Sequence, residues 1–165
     1  MPTRRRTWAP EGQTPIIAYH YKHDRLSALA ALTVSPKRRY VGLDIRFQPR
    51  NFQAAHVAEF LRALLRQLRG HVIVLWDQGS IHRGPAIAAV QQAYPRLHLE
   101  EFPAYAPELN PTEQLWNDFK GHTANSLLRD RQHLRRRLSD NTRRVRRSQT
   151  KWRSFFLVSK LPSPP

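Results

Sequence analysis

Five consecutive apolar residues, Val72-Ile73-Val74-Leu75-Trp76, constrain this chain more than any other stretch. The run is short, β-branched and apolar at both odd and even positions, which predicts a strand of a parallel sheet buried on both faces. It ends on a charge. Asp77 is followed by Gln78-Gly79-Ser80, a turn composition, so its carboxylate is expected at the strand's C-terminal edge, where open α/β sheets place their active sites. A parallel neighbour requires a crossover. Pro85–Ala93 supplies one as a short helix of small residues, and residues 97–102 then alternate as the next strand.

A second acidic residue lies downstream, in Ala106-Pro107-Glu108-Leu109-Asn110-Pro111-Thr112-Glu113-Gln114-Leu115-Trp116. Asn110 suits a helix N-cap, Pro111 the first helical position, and Glu113 the third. Each acid has an ordinary explanation. Glu113 can close a capping box, and Asp77 can cap its turn. The combination argues for more, because a hydrophobic strand delivers one carboxylate and a proline-bounded helix another. Glu100 and Glu101 are rival acids near the same edge, but a strand with one solvated face accounts for at least one of them. His82 stands close to the Asp77 edge, either to touch a phosphate or to hydrogen-bond within the turn. Trp116, three residues after Glu113, is expected in the core. Lys120, seven after, lies on the Glu113 side of the helix and can approach a phosphate held there.

The segment before this pair reads as three strands, at residues 16–21, 26–34 and 40–47, followed by an amphipathic helix at 51–69. Val57, Phe60, Leu61, Leu64, Leu65 and Leu68 form its apolar stripe, Arg62, Arg66 and Arg69 another face, and Gly70 its end. Asp24 falls in a turn and Asp44 on a strand. His20 and His23 lack further ligands at zinc spacing.

Charge narrows the partner. The 165 residues carry 28 Lys or Arg against 12 Asp or Glu, a net +16, and Arg4-Arg5-Arg6 with Trp8 form a basic N-terminal arm. Residues 124–165 alone hold 12 Lys or Arg against 2 Asp. Such an excess points to a polyanion. A transmembrane stretch or signal peptide is not evident, and cysteine is absent, so nucleic acid in a cytoplasmic setting is the expected partner. Leu127, Leu134, Leu138, Val145 and Trp152 recur at heptad-like intervals, which predicts a basic helical arm with a loose end. Its candidate phosphate contacts are Arg135, Arg136, Arg137, Arg143, Arg144, Arg146 and Arg147.

Trp76-Asp77-Gln78-Gly79-Ser80-Ile81-His82-Arg83, followed by Pro103-Ala104-Tyr105-Ala106-Pro107-Glu108-Leu109-Asn110-Pro111-Thr112-Glu113-Gln114-Leu115-Trp116, resembles the second and third acidic motifs of Tc/mariner-type transposases. More narrowly, it is similar to their bacterial insertion-sequence relatives among the DDE-superfamily endonucleases. The similarity extends upstream through Arg6-Thr7-Trp8-Ala9-Pro10-Glu11-Gly12-Gln13-Thr14-Pro15 and so spans residues 2–120. Gln78 stands where the family usually has Asn, and Ala106 and Thr112 replace a common Ser and Ile; both carboxylates are kept.

The resemblance implies a ribonuclease-H-like α/β fold, a mixed sheet flanked by helices, with residues 1–123 as a partial endonuclease domain and 124–165 as the basic arm. It implies metal-dependent DNA cleavage and strand transfer in transposition, with Asp77 and Glu113 each holding one of two Mg²⁺ or Mn²⁺ ions. The family's first acid lies on a strand before the Arg-Thr-Trp-Ala-Pro segment. This chain begins at Met1, after that point, so the central strand and its bridging Asp are expected to be absent and the chain alone to be inactive. The expected partners are transposon-end and target DNA at the bacterial nucleoid, with a homodimer or fusion to an upstream reading frame supplying the rest. Two other readings stand beside it: a non-enzymatic basic DNA-binding protein or inhibitor of full-length transposase, and a ribonuclease-H-like RNA nuclease.

Overall fold

The computed structural model describes residues 8–13, 26–37, 39–124, 130–159 and 161. The expected strand at 16–21, Asp24, the His20/His23 pair, the arginines at 4–6 and Leu127 lie outside the described residues. An antiparallel hairpin comes first, β1 (Ser27–Val34) and β2 (Val41–Gln48), paired from Ser27 opposite Gln48 to Val34 opposite Val41. Then follow α1 (Ala54–Gln67), β3 (Val72–Trp76), α2 (Pro85–Ala93) and β4 (Leu97–Glu101). β3 and β4 are parallel, with Val72 beside Leu97 and Trp76 beside Glu101. Three helices close the order: α3 (Pro111–Thr123), α4 (Arg131–Arg146) and α5 (Gln149–Val158). Among the described residues the strands form two separate two-stranded sheets.

Each sheet has its own apolar cluster. α1 buries Val57, Ala58, Leu61 and Leu65 against Ile87 and Val90 of α2, Trp76 and Leu97. The stripe read from the sequence is the buried face, although the helix ends at Gln67, before the expected Arg69. Gly70 takes φ 73 in the turn to β3, a conformation that favours glycine, and its carbonyl accepts from Arg96 Nη1 at 2.6 Å. The second cluster joins Val41 and Leu43 of the hairpin to Leu115 and Phe119 of α3, Val145 of α4, and Trp152, Phe155 and Phe156 of α5. The basic C-terminal segment is therefore helical and contributes core. Leu29 of β1 packs on the first cluster and the Arg46 guanidinium lies 5.5 Å from the Phe60 ring centre, which ties the two halves together.

One expectation differs. β3 is not buried on both faces: Ile73 and Leu75 are 64% and 53% exposed. α1 and α2 cover the Val72/Val74 side only, while α3, α4 and α5 gather over the hairpin.

A polar knot holds the last three helices. Asp118 of α3 accepts from Arg144 Nη2 at 2.6 Å and from Lys151 Nζ. Buried Asn141 donates to the same carboxylate at 3.3 Å and accepts from Arg144 Nε at 2.8 Å. Burial by itself would raise the Asp118 carboxyl, but the Lys151 and Asn141 hydrogen bonds and the two cations outweigh it, and the pKa falls below its ordinary value. A depressed folded-state pKa contributes stability above the unfolded value, near ~3.9, that is lost as pH falls through the folded value. Asp118→Asn is accordingly expected to cost about 1–3 kcal/mol at neutral pH. In urea unfolding the gap from wild type should narrow below about pH 3; a gap independent of pH would refute this origin.

Candidate active site

Trp76 ends β3 buried, and the chain emerges at Asp77 with its side chain 68% exposed. A 3₁₀ turn at Ser80–His82 then folds back on it. The His82 ring stacks on the Trp76 indole, with centres 4.6 Å apart and planes 2° from parallel. Nδ1 of His82 lies 2.9 Å from the Asp77 carbonyl oxygen and 2.9 Å from Asp77 Oδ1. Both neighbours are acceptors, so Nδ1 carries the proton and donates. The Gly79 N–H donates to the same Oδ1 at 3.0 Å. Oδ1 is thus held by the Gly79 amide with the His82 ring close beside it, while the hydrogen bond of His82 goes to the Asp77 carbonyl. Of the two roles considered for His82, the structure shows the hydrogen bond within the turn.

The parallel pair extends one residue past β4, where the Phe102 N–H donates to the Trp76 carbonyl at 2.8 Å. Gln78 Nε2 reaches the Phe102 carbonyl at 3.4 Å. These bonds pin the start of the Pro103-Ala104-Tyr105-Ala106-Pro107 loop to the Asp77 edge. The loop passes through a 3₁₀ turn, Pro107–Leu109, into α3. Asn110 caps α3, its Oδ1 accepting from the Thr112 N–H at 3.0 Å and the Thr112 hydroxyl at 2.6 Å. Pro111 takes the first helical position, as its fixed φ favours. The cap is satisfied through Thr112 rather than by a reciprocal bond from Glu113. Glu113 therefore sits half-buried in the first turn, where the helix dipole favours an anion.

Asp77 and Glu113 line one cavity of about 390 Å³, together with residues 102–107. The rival acids are outside it. Glu101 pairs with Arg83, whose Nη2 is 3.3 Å from Oε1, and Glu100 points from the exposed face of β4. Among the described residues no group of three or more His, Cys, Asp or Glu converges. Two carboxylates without thiolate or clustered imidazole suit a hard, oxygen-seeking cation such as Mg²⁺ or Mn²⁺.

The basic residues divide into two sets. Lys120 on α3, and Arg135, Arg136 and Arg147 on and beyond α4, are exposed. Arg143 is exposed and pairs with Asp140 at 3.1 Å. The others are engaged with the fold: Arg137 donates to the His122 carbonyl at 3.0 Å, Arg146 Nε to the Leu43 carbonyl at 3.1 Å, and Arg144 to Asp118. The spacing of the arginines carried no sign of this division, which depends on which helix face meets α3 and β2. Nor did the sequence reading single out Gly79 or Asp118. The only signal for Asp118 was its place as an acid just ahead of a strongly basic segment.

The family model for the DDE superfamily endonuclease matches residues 1–135. The chain belongs to this family. Solved structures agree on the fold. The Mos1 mariner paired-end complex with Mn superposes with a TM-score of 0.66 at 16% identity, covering 96% of this chain and 48% of that one. The Mos1 strand transfer complex gives 0.62, also at 16% identity with 96% and 48% covered. A Mos1 transposase paired-end complex with the left transposon end gives 0.57 at 16%, with 96% and 51% covered. The chain spans about half the length of these solved chains, and the shared architecture is ribonuclease-H-like. A search of the curated proteins finds no match.

Gly79 offers a direct test of how Asp77 is held. Its φ of −59 and ψ of 143 suit any residue, but an added Cβ would lie 2.8 Å from Asp77 Oδ1. Gly79→Ala should leave stability within about 0.5 kcal/mol, as for a surface site, because the exposed carboxylate can swing away. It should also shift the NMR resonances of the Asp77 carboxyl carbon and the His82 Nδ1 proton. Unshifted resonances would show that this contact does not position the carboxylate.

Proposed function

We propose that this DDE endonuclease is the catalytic-domain portion of a DNA transposase, acting in metal-dependent phosphodiester cleavage and strand transfer. The observation that carries the reading is the convergence of Asp77 and Glu113 on one open cavity at the β3/β4 edge. The family match and the Mos1 fold support it. Asp77 offers its carboxylate, with Oδ1 oriented by the Gly79 amide, and Glu113 offers its own from the first turn of α3. Two bound Mg²⁺ or Mn²⁺ ions would supply a nucleophilic oxygen near neutral pH and charge stabilisation at the leaving oxygen. The residues themselves bind and orient: each acid would hold one ion, and the His82–Trp76 stack braces the turn that carries Asp77. A third carboxylate, beyond the two brought together among the described residues, would complete such a site. The +16 charge and the exposed set of Lys120, Arg135, Arg136, Arg143 and Arg147 give the domain its grip on phosphates. No helix among the described residues is long and apolar enough to cross a membrane.

Calorimetric titration of Mn²⁺ into the protein with duplex DNA present tests the site. Asp77→Asn and Glu113→Gln should each weaken Mn²⁺ binding by about tenfold or more, since even outer-shell losses cost ~10–100-fold. Glu101→Gln, which removes only the partner of Arg83, should leave it unchanged. DNA bound equally well by all three variants, with no difference in Mn²⁺ affinity, would instead favour a non-enzymatic DNA-binding protein.

A further inference from the structure

Tyr105 stands apart from every other aromatic residue of the site. It sits at the top of the loop joining the Asp77 edge to the Glu113 helix and lines the same cavity. Its φ is 58, and it is the only non-glycine with positive φ among the described residues. A left-handed conformation costs a tyrosine energy that Gly or Asn would spare, and such outliers concentrate where a surrounding structure enforces them for function. Here the enforcement is visible. Phe102 is buried and bonded to Trp76, and Pro103 and Pro107 restrict the chain on either side. Yet the ring returns nothing to the fold, because Tyr105 is 102% exposed. A large aromatic held out into solvent beside a pair of carboxylates is matched to a ligand with a flat π face and an adjoining phosphate.

We propose that Tyr105 is a nucleobase-stacking residue, taking an unpaired base next to the phosphodiester presented to Asp77 and Glu113; this rests on the DNA-processing reading above. Stacking is tolerant of sequence, because every base has a π face. The ring would fix the strand's register over the carboxylates while the arginines supply non-directional attraction.

The test uses two DNAs of equal length: a blunt duplex, and a duplex with a 3′ single-stranded overhang containing 2-aminopurine. Wild type and Tyr105→Phe should quench the 2-aminopurine fluorescence on binding. Tyr105→Asn should abolish the quenching and weaken binding to the overhang DNA about tenfold, leaving blunt-duplex affinity unchanged. Its Tm should equal or exceed that of wild type, since Asn tolerates the left-handed backbone. Quenching retained in Tyr105→Asn, or a Tm well below wild type, would overturn the proposal, the latter by showing that the ring serves packing. If wild type binds both DNAs without quenching, only the stacking role fails. If wild type binds neither, the DNA-processing reading fails and this inference with it.

Discussion

The parallel pairing of β3 with β4 is the constraint from which the site follows. Its register sets Trp76 beside Glu101, and the bond from the Phe102 N–H to the Trp76 carbonyl continues it by one residue. Both chains therefore leave the sheet at one edge. From there a three-residue turn follows Asp77 closely, and residues 103–110, with a 3₁₀ turn at Pro107–Leu109, lead to α3 and Glu113. Neither carboxylate is placed by a long flexible connection, which keeps the entropy of ordering the site low.

The two acids are supported by different means. Asp77 is exposed and is held by directional bonds, with the Gly79 amide on its Oδ1, the His82 imidazole on its backbone carbonyl, and the Trp76 ring bracing the imidazole. Glu113 is held by its helix. The Asn110 cap and Pro111 start α3 at a defined residue, and buried Leu115 and Phe119 anchor it against the hairpin. A change in the hairpin core would therefore be felt at Glu113 before it was felt at Asp77.

The basic charge has two physical roles. Arg144 and Lys151 neutralise Asp118 at the junction of α3, α4 and α5, and Arg146 satisfies a carbonyl of β2, so these cations belong to the fold. The exposed arginines repel one another, and the hydrophobic contribution of Val145, Trp152, Phe155 and Phe156 holds α4 and α5 together against that repulsion. A phosphate backbone would relieve it.

The elements themselves were legible in the sequence because each is a local pattern. The Val72–Trp76 run, the α1 stripe and the Asn110-Pro111 helix start depend on neighbours a few residues apart, and β3, α1 and α3 formed where those patterns lie. Asp77 and Glu113 were recognisable as candidates for the same reason, each marking the end or the beginning of an element. The tertiary structure alone decided that the capping-box explanation for Glu113 is not used, that Glu101 is neutralised by Arg83, and that Ile73 and Leu75 face outward. It also separated the arginines that hold the fold from those left at its surface. These outcomes turn on contacts between residues far apart in the chain, such as Arg146 with Leu43 and Lys151 with Asp118, and local periodicity carries no information about them.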